Sequence, residues 1–318
     1  MVRVALAGGW GQLGHEVLDA LIARDKHEIL FYKITWDKTD YDDLEFLTES
    51  LRGVHAVLSF LAGPVHQRTA SAQQDAHINL IDASVRAGVK RFAPSEWASS
   101  GLERMPWYAF KQSARDHLSN LNKDKKATLP SLLISQKLET HVNAPGLFTN
   151  YLLHPFQSAK HGRVYEQHIN FHARRAMHCV IALAVEYEGE WPVDGGTSGS
   201  RMSVGEVIAL GEKIRGSPFE VTEPKMQDLE AGVVKAPWFP KIDHAAVPEE
   251  TRGAVRPVLL AGVLRSLAAG ASEAGAWETS DTWNRLLPDF EFTQPKDILT
   301  QGWATIGAGA ERIPVEDY

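Results

Sequence analysis

VRVALAGGWGQLGHEVLDALIA, residues 2–23, decides the fold. Val2–Ala7 is a short apolar run rich in β-branched residues and reads as a strand. Gly8, Gly9, Gly11 and Gly14 follow at once, satisfying GxGxxG from Gly9 and GxxGxxG from Gly8. Leu13, Val17, Leu18, Leu21 and Ile22 then recur at helical spacing, which predicts an amphipathic helix facing a sheet. Glycine serves three needs in such a turn: the chain leaves the strand sharply, its backbone approaches a pyrophosphate closely, and the helix packs tightly on the sheet. The helix amino terminus offers open N–H groups and a partial positive charge to the anion. A bare glycine pattern also fits a tight turn that holds nothing; the strand before and the amphipathic helix after favour a dinucleotide site.

The same alternation continues along the chain. His27–Tyr32 reads as a second strand. Asp42 and Glu45 form a capping box for a helix carrying Leu44, Leu47 and Leu51 on one face, with Gly53 at its end. Val54–Phe60 is the next strand. Ile78, Ile81 and Val85 mark a helix closed by Gly88, and Val89–Ala93 is a further strand. Alternating strands and helices build a parallel sheet covered on both faces. The expected class is therefore α/β, a Rossmann-like doubly wound parallel sheet. His27–Tyr32, however, runs almost directly into Lys33–Trp36 and the helix at Asp42, without the dozen or so residues that a parallel crossover takes. Either these residues make one long strand or one strand of the sheet is absent.

A second helix-rich region begins near Pro145. In it Ser203 and Glu206 supply a capping box for a helix with Val204, Val207, Ile208 and Gly211 on its inner face, and Gly216 terminates it. Pro, Gly and Trp become frequent from Glu190 onward. The expected organisation is a dinucleotide-binding domain over residues 1–150 and a smaller α+β substrate lobe over 151–318, partly interleaved with it.

Composition narrows the function. Of 318 residues, 44% are apolar and 23% charged, the profile of a globular protein with a full core. That excludes a disordered chain and a disulfide-stapled miniprotein, since Cys179 is the single cysteine. With 33 basic and 40 acidic residues, the net charge of −7 repels a phosphate backbone, so no nucleic-acid partner is expected. The opening MVRVALAGG lacks a long apolar run and reads as a strand rather than a leader. Val255–Ala271 is interrupted by Arg256, Pro257 and Arg265, so no membrane span is expected. A cytoplasmic protein with a small-molecule substrate follows as the expectation.

Trp107, Phe110, Ala114, Leu118 and Leu121 define the apolar stripe of another helix. Lys111 stands three residues before Ala114 and seven before Leu118, on or beside that buried face. Desolvating an ammonium is costly unless it has a partner or a task; the competing reading is a lysine whose stem covers apolar surface while its head reaches water. Ser95 lies just past the carboxyl end of a strand, where open α/β sheets place their ligands; it also fits a turn cap, with Glu96 starting a helix. His161, His168, His172 and His178 do not have the spacing of HExxH, so no metal is expected. There is no GxSxG nucleophile elbow and no Walker A sequence.

GGWGQLG at 8–14, NLIDASVRAGVKRFAPSEWA at 79–98, YAFKQSARDHL at 108–118 and PGLFTNYL at 145–152, followed by EGEWP at 188–192 and TWNRLLPDFEF at 282–292, resemble the NmrA-like and isoflavone-reductase-like proteins. These are atypical short-chain dehydrogenase/reductases, and the resemblance is to their fungal members. It implies a Rossmann domain binding NADPH in preference to NADH, with the carboxy-terminal lobe closing over a substrate. It makes Gly8, Trp10, Gly11, Gln12, Leu13 and Gly14 the loop contacts of the cofactor, and puts Leu61 and Ala62 beside its adenine and ribose. Lys111 falls on the family's lysine, which contacts the nicotinamide ribose and helps proton transfer. In the usual Tyr-x-x-x-Lys signature the phenol is the proton donor. Here Trp107 occupies that place, and Tyr108 and Ser95 are the remaining hydroxyl candidates. Relatives set a basic residue on the 2′-phosphate from the loop that is shortened here, and Lys33 is its nearest substitute. A second shortening falls around Ala173–Glu190, and Lys126–Asn143 is longer than the pattern.

The expected activity is an NADPH-dependent reductase of a small aromatic, phenolic or polyketide-type metabolite, in secondary metabolism. The alternatives are a non-catalytic NAD(P)-binding redox sensor of the NmrA type and a pseudoenzyme that has lost the cofactor.

Overall fold

The computed structural model describes residues 3–24, 38–39, 41–61, 70–97, 108–124, 174–192, 195–200, 202–221, 223–235, 249–251, 253–254, 257–258, 260–262, 264–265, 280–292 and 294–307. Strands β1 (Val4–Ala7), β2 (Ala56–Ser59) and β3 (Arg91–Ala93) form a parallel sheet in the order β1-β2-β3. Val4 pairs with Ala56 and Ala7 with Ser59, while Ala56 pairs with Arg91 and Leu58 with Ala93. Successive strand side chains point to opposite faces, so this register sorts the apolar residues into two layers.

On one face Val4, Leu6, Ala56, Leu58 and Ala93 meet Val17 and Leu21 of helix α1 (Gln12–Ala23). The same layer holds Val180, Ile181 and Val185 of helix α5 (Arg174–Glu186). Arg24 at the end of α1 pairs with Glu186 at the end of α5. On the other face Ala5, Ala7, Val57 and Phe92 pack against Leu47 of α2 (Leu44–Ser50), Leu80 and Ile81 of α3 (Ala70–Ala87), and Ala114 and Leu118 of α4 (Ala109–Asp124). The sheet is covered on both sides, as a parallel sheet must be. This is the doubly wound Rossmann-like α/β arrangement expected from the sequence.

The element ends carry several corrections. Asp43, not Asp42, caps α2: its carboxylate accepts the N–H groups of Glu45 and Phe46 at 3.1 and 2.9 Å. Strand β2 starts at Ala56 rather than Val54 because the Val54 N–H turns back to the Leu51 carbonyl. Strand β3 starts at Arg91 rather than Val89, whose N–H is held by the Ser84 carbonyl across the left-handed Gly88. His27–Tyr32, Lys33 and the shortened crossover lie outside the described residues, as do Ala62, Trp107, Lys126–Asn143 and the PGLF segment.

Helix α6 (Val204–Arg215) has the capping box read from the sequence, Ser203 and Glu206 bonding reciprocally, and ends on left-handed Gly216. Its inner face is shifted: Leu210 and Ile214, with the buried Gly211, form the seam rather than Val207 and Ile208. The seam closes on Ile298, Leu299 and Trp303 of the last helix described, Pro295–Gly307. Between them lie α7 (Met226–Glu230), a 3-10 turn (Glu249–Thr251) and α8 (Thr282–Leu286), the last helix being α9. Trp283 of α8 is fully buried in the α1–α5 layer, so a piece of the carboxy-terminal region completes the Rossmann core.

Candidate functional site

The carboxyl ends of β1, β2 and β3 point the same way, and three turns leave from that edge. The first is the glycine turn. Gly8 has φ +74°, a conformation that side chains rarely adopt, and an added Cβ would stand 3.0 Å from the Phe60 carbonyl. Gly14 lets α1 press against the turn: a Cβ there would stand 2.6 Å from Gly9 Cα. The turn is closed by the Gly9 N–H to the Leu6 carbonyl at 3.1 Å and the Gly11 N–H to the Gly8 carbonyl at 2.9 Å. Gly11 is the N-cap residue of α1 and no side chain caps that end. The first-turn amides of Gln12, Leu13 and Gly14 are therefore left to the positive end of a twelve-residue helix. Trp10, on the rim of the turn, is 74% exposed and its ring lies 4.9 Å from His15. Leu13 points the other way, into the α1–α5 layer.

The second turn leaves β2. The Phe60 N–H is held by the Ala7 carbonyl at 2.7 Å, and Phe60 stacks on Trp97 with ring centroids 4.9 Å apart. The Trp97 indole N–H donates to the Ser59 carbonyl at 2.5 Å, locking the second and third turns together. Leu61 sits beside Gly8, half-buried.

The third turn, Pro94-Ser95-Glu96-Trp97, carries the charge. Glu96 is 1% exposed and receives both arms of Arg115, Nε to Oε1 at 2.9 Å and a terminal nitrogen to Oε2 at 2.7 Å. Arg115 is on α4, and one turn earlier on the same helix is Lys111, 4% exposed. The reading of Lys111 as a buried lysine rather than a snorkelling one therefore holds. Its Nζ lies 4.2 Å above the Tyr108 ring and has no hydrogen-bond acceptor among the described residues. Burial pulls the Lys111 ammonium down to about 8, against the opposing pull of Glu96, with Arg115 adding to the lowering. Ser95 is half-buried in the same turn.

Two neighbours of this group gave no signal in the sequence. His77 of α3 is 4% exposed, stacks on Phe110 at 4.6 Å, and its Nε2 has no partner among the described residues. Burial, reinforced by the Lys111 charge, pushes its imidazole down to about 4. The other is Glu96, whose ion pair with Arg115 shows it to be more than a helix-starting residue.

Cofactor fit rests on the glycine turn. Gly8 and Gly14 let the turn close against the Phe60 and Gly9 backbones where a Cβ would collide, and the helix end beside them carries uncapped amides. That donor set suits an anionic diphosphate. The described residues hold no group of three His, Cys, Asp or Glu suited to a metal, and no described helix is long and apolar enough to cross a membrane. Of the four histidines weighed as metal ligands, only His178 is described, buried on α5.

No family model matches the chain. Oxidoreductase BOA1 of Botryotinia fuckeliana is 30% identical over 170 residues, which cover 49% of this chain and 51% of that protein. That match thus spans about half the length of the relative. Oxidoreductase swnN of Metarhizium robertsii is 22% identical across 95% of this chain and 98% of its own. Among solved structures, the NADPH-dependent quinone oxidoreductase QOR2 of Escherichia coli, complexed with NADPH, superposes with a TM-score of 0.58 at 17% identity, covering 94% of this chain and 99% of that one.

The fold and its glycine turn define a Rossmann-like α/β protein. A solved set of pinoresinol-lariciresinol and phenylcoumaran benzylic ether reductases is likewise similar in fold, with a TM-score of 0.57 at 14% identity over 94% of this chain and 98% of that one.

Proposed function

We propose that the chain is an NADPH-dependent oxidoreductase that reduces a small aromatic, phenolic or polyketide-type molecule. The observation that carries this reading is Lys111, an ammonium buried beside Glu96 of the turn that leaves the carboxyl end of β3. A buried charge held beside an ion pair and softened toward neutrality is suited to giving up a proton. The names and bound cofactor of the similar proteins support the same direction.

The amides of Gln12, Leu13 and Gly14 would hold the diphosphate, with Gly8 and Gly11 shaping the turn and Trp10 and Leu61 flanking it. When bound, the dihydronicotinamide supplies a hydride to an enone or carbonyl carbon of the substrate. Lys111 donates the matching proton from Nζ to the substrate oxygen, so that one hydride and one proton complete the reduction. Tyr108 supports the ammonium with the face of its ring. Arg115 neutralises Glu96, which otherwise would hold the Lys111 proton more firmly. The Ser95 hydroxyl, half-buried in the turn after β3, is the proposed hydrogen-bond donor to a substrate carbonyl. Lys33 and Ala62, outside the described residues, remain proposed cofactor contacts, and residues 1–150 and 151–318 the proposed domains.

The second reading, a dinucleotide-binding redox sensor without chemistry, is favoured by Trp107 in the place of the phenolic donor. Titration of the purified protein with NADPH and NADH, followed by nicotinamide fluorescence, tests both. Absence of binding to either at near-millimolar concentration rejects both. Binding with turnover of a quinone or enone that is lost in Lys111→Ala supports the enzyme, and binding with no turnover of a broad acceptor panel supports the sensor.

A further inference from the structure

Tyr41 is the one non-glycine residue among those described with a positive φ, +66°. A bulky side chain in that region is an outlier, held only when its surroundings over-determine it, and such positions concentrate at ligand sites. Three contacts hold Tyr41. Its N–H donates to Thr39 Oγ1 at 3.0 Å, its carbonyl accepts from Asn79 Nδ2 at 2.9 Å, and its phenolic oxygen accepts the Gly8 N–H at 3.1 Å. The ring packs beside the α2–α3 layer. The strained backbone and its two anchors thus deliver one hydroxyl to the first residue of the glycine turn.

That hydroxyl is half-used. Its lone pair takes the Gly8 amide, and its own proton has no acceptor among the described residues. Burial raises the phenol above its ordinary value, so it keeps that proton throughout the neutral range. A phenol that accepts from the turn and still has a proton to give is a donor aimed at whatever the turn holds.

We propose that Tyr41 is a ligand-contacting residue of the glycine turn, its hydroxyl, fixed by the Gly8 amide, donating to a phosphate or ribose oxygen of the adenosine diphosphate half of a bound dinucleotide. The inference rests on the dinucleotide reading above and adds a contact that the glycine pattern does not contain. It also supplies a neutral donor on the adenosine side of the site.

The test uses the full-length protein, wild type and Tyr41→Phe, with NADPH and with ADP-ribose, which lacks the nicotinamide. Tyr41→Phe keeps the ring packing and removes only the oxygen. Loss of one hydrogen bond predicts affinity weaker by about tenfold for both ligands. ADP-ribose should also delay the alkaline ionisation of one tyrosine in the wild type, read as tyrosinate absorbance, and of none in Tyr41→Phe. Unchanged affinity in Tyr41→Phe overturns the proposal, and so does an affinity loss with no ligand effect on tyrosine ionisation. If the wild type binds neither ligand, the dinucleotide reading itself has failed, a separate and recognisable result.

Discussion

Arg115 lies fork to fork on Glu96, at 2.9 and 2.7 Å, with the two side chains only 11% and 2% exposed. Such a pair costs much desolvation, and removing one partner strands the other charge. Glu96→Gln should therefore lower unfolding stability by about 3 kcal/mol, measured by urea denaturation. The same change removes the charge that holds the Lys111 proton, so the alkaline limb of the pH–rate profile should move to lower pH. An unmoved limb would disconnect Lys111 from Glu96.

Lys111 itself should cost stability at neutral pH. Its folded value of about 8 lies below the ordinary 10.5, so between these values the unfolded chain binds the extra proton. Wild-type stability should thus rise as pH climbs from about 8 toward 10.5. Lys111→Met should abolish that rise and stabilise the protein at pH 7 by on the order of 2 kcal/mol while removing turnover. Thermal melts across the range check it.

His77 is buried neutral, with its folded value near 4 against an ordinary 6.5. Here too the unfolded chain takes the proton first, so stability should fall as pH drops from 6.5 toward about 4. His77→Phe keeps the stack on Phe110 and should flatten that acid loss, seen as a gain in melting temperature at pH 5 that shrinks at pH 7.

The glycine turn gives a steric prediction with an internal control. Gly14→Ala sets a methyl 2.6 Å from Gly9 Cα, so the helix must move. It should cost about 1–3 kcal/mol of stability and weaken NADPH binding by about fivefold to a hundredfold if the same displacement disturbs the helix end. In α6 a Cβ at Gly205 meets nothing within 4 Å. Gly205→Ala should be neutral or stabilising by about 0.5 kcal/mol, with binding intact.

The strand–turn–helix at residues 4–23 was legible because its information is local: β-branched alternation, four glycines and a helical apolar repeat lie within one short stretch. Lys111 was legible for a related reason, since its position relative to Phe110, Ala114 and Leu118 is fixed by helix geometry alone. The N-cap of α2 was missed by one residue because Asp42 and Asp43 both suit the role, and only the backbone turn chooses between them. Strand starts were overrun where apolar residues such as Val54 and Val89 spend their amides on the preceding helix instead of the ladder.

By itself the sequence determined the class of fold, the glycine turn and which helix faces are buried, because each depends on residues a few positions apart and on the fixed periods of strand and helix. Only the tertiary structure decided what surrounds Lys111 and what reaches Gly8. Glu96 and Arg115 are separated by 19 positions, Gly8 and Tyr41 by 33. They meet because parallel strands bring their carboxyl ends to one edge, and no local pattern of residue types records which distant side chains that edge gathers.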